Sequence, residues 1–249
     1  MMRAIKAEFR KLLSVRSTYV ITILLAVGIM LIAFFLEGYR LNAAQLREPT
    51  QLAGDVTGAL NLTVLGAIVA ILLMSHEYRY NTITYSLTSN SRNKVLFAKL
   101  LTISVYALFL AVLIGVLSPV MSYLGVHAHG HSFGPQTFHA ANLAWRSLFY
   151  GWGYGMAGFI LVLLTRNQVA SIVTLFVFPS VIEHLLGFLL LKHNSVYLPF
   201  SALDQVINTP TDGPTGSTMS AGKAALVYCV YLVVGWIVAW VLFLKRDAN

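Results

Sequence analysis

Long apolar runs alternate with short polar stretches along the whole chain. Six runs stand out, at Thr18–Leu36, Val56–Ser75, Val95–Leu117, Ala144–Thr165, Val169–Leu191 and Ala224–Leu244. Each is close to the roughly 20 residues that a helix needs to cross about 30 Å of hydrocarbon. Inside a bilayer a backbone must satisfy its own polar groups, and a helix does so within one segment. The pattern predicts an all-α membrane protein of six transmembrane helices forming one domain over residues 1–249. Only Arg166, Asn167 and Gln168 separate the fourth and fifth runs, which predicts a tight helical hairpin. No soluble domain fits between runs, and no repeat of solenoid length is present.

Ahead of the first run, residues 3–16 follow a different rhythm. Ile5, Phe9, Leu12 and Leu13 recur on one helical face, and Lys6 and Arg10 fall on the other side. This predicts an amphipathic helix lying in the membrane interface. The alternative reading is a basic anchor that only sets topology. The first run is longer than the apolar core of a signal peptide, and Glu37-Gly38-Tyr39 offers no small-residue cleavage site, so it reads as a retained span.

Composition agrees with this picture. Hydrophobic residues make up 57% of the chain and charged ones 10%, against about 25% charged in a soluble domain. The formal net charge is +8. In a soluble protein that excess would suggest nucleic acid. Here the basic residues flank apolar runs, and they read as an orientation signal with no nucleic-acid partner. With the N-terminus inside, 12 of the 17 Lys and Arg residues fall on the inner side and 5 on the outer. The positive-inside rule then predicts that both ends face the cytoplasm. The one cysteine, Cys229, lies inside an apolar run and has no intrachain disulfide partner.

Candidate chemistry is sparse. The stretch Ser75–Lys99, SHEYRYNTITYSLTSNSRNKVLFAK, is a longer and more polar inner loop than a helix reversal needs. It reads as a short helix from Glu77 to about Leu87, a turn at Ser89-Asn90-Ser91, and then the third span. It is either a docking segment for a partner or a solvated linker that obeys the charge rule. Glu183-His184 is the ionisable pair well inside a run, just after Pro179, which should kink the helix. Two readings of Glu183 stand: a polar group lining a substrate path, with His184 beside it, or a protonated side chain hydrogen-bonded to a neighbouring helix. His127, His129 and His131 alternate in an outer loop with His139 nearby. A strand would align the first three, but without Cys or nearby carboxylates the set does not specify a metal. Gly151-x-x-x-Gly155 permits close helix approach, within the subunit or at a dimer seam. Gly216–Ala224, GSTMSAGKA, fails as a phosphate loop: five residues separate its glycines, and Ala224 replaces the Ser or Thr that Mg²⁺ requires. No cofactor, metal or catalytic residue is predicted.

The order of these pieces resembles the type-2 ABC exporter permeases. Glu77, Thr82-Ile83, the Ser89–Ser91 turn, Arg92 and Lys99 stand where that family carries a Glu ending the second span, a Gly-Thr-Ile-like step, a Ser-Pro-like turn, an Arg and a Lys. Asn81 replaces the family's frequent Gly, and the turn has no Pro. The start Glu8-Phe9-Arg10-Lys11-Leu12, the segment Tyr197-Leu198-Pro199-Phe200 and the end Phe243–Asp247 are also similar. The resemblance implies a membrane-spanning subunit that builds a translocation path and performs no covalent chemistry. It implies separate ATP-binding-cassette ATPase subunits and a second permease subunit, identical or different, in a bacterial cytoplasmic membrane. Glu77, Arg79, Thr82, Ile83 and Arg92 would then couple the chain to the ATPase. Two other classes remain open at this point: a transporter driven by an ion gradient, and a membrane-embedded enzyme.

Overall fold

The computed structural model describes residues 2–79, 91–137, 139–207 and 219–245. Every regular element among them is helical. Six stretches are long and apolar enough to cross a membrane: Thr18–Tyr39, Gln51–Tyr78, Arg92–Ala128, Ala140–Thr165, Gln168–Leu191 and Ala221–Lys245.

Helix α1, Met2–Ser14, precedes the first stretch and lies along the chain's own bundle. Ala4 and Leu12 are its buried residues, whereas Leu13 of the predicted apolar face is exposed. Helix α2, Arg16–Phe34, continues into a π-helical turn at Phe35–Tyr39. A short turn, α3, Ala43–Leu46, leads to α4, Gln51–Leu60, and α5, Val64–Arg79, which a 3-10 turn at Asn61–Thr63 joins.

The second crossing stretch therefore begins at Gln51, five positions before the predicted Val56. Hydropathy stops at Asp55, but the fold continues because Asp55 is supplied with donors. Its Oδ2 accepts from Ser122 Oγ at 2.7 Å and its Oδ1 from Gln51 Nε2 at 2.9 Å. Helix α6, Arg92–Ala128, has 37 residues. At about 1.5 Å per residue it is near 55 Å long, well beyond a hydrocarbon core of about 30 Å. It therefore runs through the polar ends that the apolar run Val95–Leu117 leaves out.

Helix α7, Ala140–Thr165, is the central element. Two-thirds of its most apolar window is buried, against 17% in the first, fifth and sixth stretches. Its glycines make this packing feasible. A Cβ at Gly151 would stand 2.6 Å from Ala111 Cβ, and one at Gly158 would stand 2.6 Å from the Ala67 carbonyl oxygen. The small-residue face is thus filled by α6 and α5 of the same chain, which removes it as a dimer seam.

Helix α8, Gln168–Val177, follows α7 through the predicted hairpin. Arg166 takes a left-handed conformation, φ 54°, and ends α7. Asn167 Oδ1 accepts from the Val169 and Ala170 N–H groups at 2.9 and 3.2 Å and starts α8. Past Pro179 the stretch is irregular, with π-helical turns at Phe178–Glu183 and Gly187–Leu191. A short helix, α9, Pro199–Ile207, turns back against α7 and α10, Ala221–Lys245.

Candidate functional site

The end of the bundle that gathers Arg79, Arg92 and Arg166 holds the densest polar structure. Glu77 sits in the last turns of α5, Lys99 in the second turn of α6, and Glu8 and Lys11 on α1. Glu77 Oε1 accepts from Lys99 Nζ at 2.6 Å and from Lys11 Nζ at 2.9 Å. Glu8 accepts from the same two lysines at 2.8 Å, through Oε2 from Lys99 and Oε1 from Lys11. The four side chains close a ring of alternating charge with no net charge. Side-chain exposure is 4% for Lys99, 9% for Glu77, 11% for Glu8 and 42% for Lys11. Burial alone would lower the Lys11 ammonium. The hydrogen bonds and charges of Glu8 and Glu77 outweigh it and hold Lys11 above its ordinary value.

Glu77 is 7% exposed, and its carboxylate faces the ring of charges within the chain. The carboxylate lies inside because two lysines from distant elements meet it there, and a buried ion survives only when paired and hydrogen-bonded. A cavity of about 430 Å³ adjoins the ring, walled by apolar residues such as Ile21, Val69, Leu72 and Ile103.

Arg92 also turns inward. Its Nη1 donates to the Leu244 carbonyl at 2.8 Å, in the last turn of α10. There a cation satisfies a carbonyl that the helix leaves open. Asn93 Oδ1 accepts from Trp240 Nε1 at 3.0 Å, and Phe97 packs against the Trp236 and Trp240 rings. The Arg166 guanidinium lies 5.4 Å from the centre of the Tyr78 ring, within cation–π range. Arg79 ends α5. Thr82 and Ile83 lie outside the described residues. The last turns of α5 and the first turns of α6, which flank 80–90, are thereby tied to α1, to the α7–α8 turn and to α10.

Glu183 and His184 are neighbours with separate fates. Glu183 is 2% exposed. Its carboxylate accepts from the Phe200 N–H at 2.8 Å, the Ser201 N–H at 2.7 Å and Ser201 Oγ at 2.8 Å. It caps the first turn of α9 from another segment, satisfying donors that a helix start leaves open. His184 is exposed and donates from Nδ1 to the Pro179 carbonyl at 3.0 Å. The two side chains of the pair point to different sides of this turn. The bonds to α9 agree with the reading of Glu183 as a side chain hydrogen-bonded to a neighbouring helix, here as a cap on its first turn.

Sequence reasoning missed a second polar node at the opposite end. Asp55 and Glu37, from two crossing stretches, meet α6 at Ser118 and Ser122. A third lies around α9, where the Tyr150 hydroxyl is 3.1 Å from both Asn61 Oδ1 and Asp204 Oδ1. Burial pushes the Asp204 carboxyl up to about 6, against the lowering effect of Tyr150 and with a smaller raise from the Glu183 charge. The only early signal for Asp55 was its place one residue before an apolar run.

The histidines do not align as on a strand. α6 reaches Ala128, so His127 is helical and pairs with the Tyr123 hydroxyl at 2.8 Å. His129 packs edge-on against Tyr39 and His131. Among the described residues no group of three or more His, Cys, Asp or Glu is placed to hold a metal ion.

A family model described as "Protein of unknown function (DUF2705)" matches residues 55–248. The chain belongs to that family. The matched region includes Glu77, Arg92, Lys99 and Glu183, and it starts beyond Glu8 and Lys11. A search of curated proteins returns no match.

Proposed function

With membership of this family as the premise, we propose that the chain is the membrane-spanning permease subunit of an ATP-driven exporter in a bacterial cytoplasmic membrane. Its two ends face the cytoplasm. It forms a substrate path with a second permease subunit and couples to separate ATP-binding-cassette ATPase subunits. The reading rests first on the resemblance to type-2 exporter permeases. The observation that supports it best is the bracing around 80–90. Glu77, Arg92 and Lys99, residues of that resemblance, each bind another element of the basic end. A segment that takes up force from a partner needs such flanks, because a push on a floppy loop is dissipated locally. Glu77 and Arg92 then act as positioning residues, and direct contact with the ATPase falls to 80–90, with Thr82 and Ile83.

Purification in mild detergent from cells that carry the neighbouring genes is the test. The exporter reading expects an ATPase subunit to co-purify with the chain. One observation favours a second reading, a transporter driven by an ion gradient: Glu37 and Asp55 come together through the hydroxyls of α6. That reading expects no ATPase subunit, and transport by the chain alone in vesicles that collapses when the gradient is discharged.

A further inference from the structure

We propose that the exposed basic stripe of α1, formed by Arg3, Lys6 and Arg10, binds anionic phospholipid headgroups. At about 100° per residue the helix divides into three sectors. The first holds Ala4, Glu8, Lys11 and Leu12 and packs on the chain itself, with Ala4 and Leu12 buried and the two charges in the ionic ring. The second holds Met2, Ile5, Phe9 and Leu13. It is apolar, and at 83% and 56% exposure Met2 and Leu13 are left bare by the bundle. The third holds Arg3, Lys6 and Arg10, all exposed.

The charge of the third sector is uncompensated. Glu8, the one acidic residue of α1, is engaged by Lys11 and Lys99. None of the three stripe residues has an ion pair among the described residues. An apolar sector beside a basic one lies in the interface plane, with the first at the acyl boundary and the second among the headgroups. The packed sector adds what a free amphipathic peptide lacks. It fixes the roll of the helix, so the stripe is presented at one depth. Three cations held at one depth attract phosphate charge. The ligand is therefore a lipid whose phosphate charge is not cancelled by its own ammonium. The inference needs the chain to sit in a membrane, and it does not need the ATPase partner.

Full-length protein is reconstituted into nanodiscs of equimolar phosphatidylglycerol and phosphatidylcholine, and retained lipids are counted by native mass spectrometry. Wild type is expected to retain phosphatidylglycerol selectively, with the preference falling as salt is raised. The triple variant Arg3→Gln, Lys6→Gln, Arg10→Gln is expected to lose it, by roughly fivefold per charge and about 100-fold together. The charge-keeping triple Arg3→Lys, Lys6→Arg, Arg10→Lys should preserve it, and so should Arg40→Gln with Arg47→Gln at the other end. Unfolding temperatures of all variants guard against a folding artefact. Retention of the preference by the Gln triple overturns the proposal, as does equal retention of both lipids by wild type. A Gln triple that keeps its lipid but loses a co-purifying ATPase subunit also overturns it, and makes the stripe a protein contact.

Discussion

A lysine with 4% of its side chain exposed is tolerable only where carboxylates meet it, and Lys99 has two. Breaking a buried pair typically costs about 3–5 kcal/mol, and without Glu77 the two lysines would share Glu8 alone, leaving one positive charge in excess. Glu77→Ala is therefore expected to lower the thermal midpoint of the detergent-purified protein sharply. Glu77→Lys, which would gather three ammonium groups around Glu8, is expected to prevent folding. Lys11→Ala should cost less than about 1 kcal/mol, because its side chain is 42% exposed and solvent screens it. Intrinsic tryptophan fluorescence during heating reads all three, and equal midpoints for Glu77→Ala and Lys11→Ala would refute the ring as a buried unit. Asp204 gives the pH signature at this scale. Its carboxyl titrates near 6 in the fold and near 3.9 when unfolded. Between those values the folded state binds more protons, so this group's contribution to stability falls as pH rises through the window and is flat above it. Asp204→Asn keeps an acceptor for Tyr150 and should flatten that part of the stability profile; an unchanged slope between pH 4 and 6 would exclude the assignment. The ring itself was not legible in the sequence. Glu8 and Lys99 are 91 positions apart, and no periodicity relates a helix before the first span to the start of the third.

Helices were legible where apolar composition alone decides them, and their polar extensions were not. The six runs reappear as crossing stretches, but the second extends back through Asp55 to Gln51 because a hydroxyl donor on the opposing α6 and the amide of Gln51, one turn earlier on α4, meet the Asp55 carboxylate. The helix α9 was also unforeseen, since a nine-residue element with only a short apolar face carries a weak signal. Its stability depends on Glu183. Glu183→Ala would leave three donors, two of them backbone, without an acceptor in a buried place. Each such orphan typically costs about 1–3 kcal/mol. Hydrogen exchange at 200–207 is expected to speed up in Glu183→Ala much more than elsewhere in the chain. Glu183→Gln, which keeps one acceptor oxygen and loses the charge, should fall between. Protection of α9 equal to wild type in the Ala variant would show that another group holds it.

For the molecule as a whole, the decisive matter is which end faces the cytoplasm and what meets it there. The 12-to-5 distribution of Lys and Arg, counted with the N-terminus inside, is the basis for proposing that the basic end faces inward. In a Cys229→Ser background, single cysteines at Ser91 and Thr215 should react with an impermeant thiol reagent from opposite sides of the membrane. Labelling of both from outside would reverse the topology and remove the coupling reading with it. If the orientation holds, the coupling test must avoid the ring, since a change at Glu77 or Lys99 would fail through folding alone. It belongs to Ile83 and Thr82. An apolar side chain on a segment that docks into a groove contributes by desolvation, and a carboxylate in its place meets a dry surface that it cannot satisfy. The crossing helices are held by lipid and by α7, so insertion does not depend on either side chain. Ile83→Asp should therefore leave expression and unfolding temperature near wild type while weakening retention of the ATPase subunit by roughly tenfold or more, the effect of about 1.4 kcal/mol or more at an interface. Thr82→Ala, a smaller change, should weaken it less. Pull-down and transport are measured on the same preparations. Normal association together with normal transport in Ile83→Asp would reduce the segment to a linker, and the bracing of α5 and α6 would then be explained by helix packing alone.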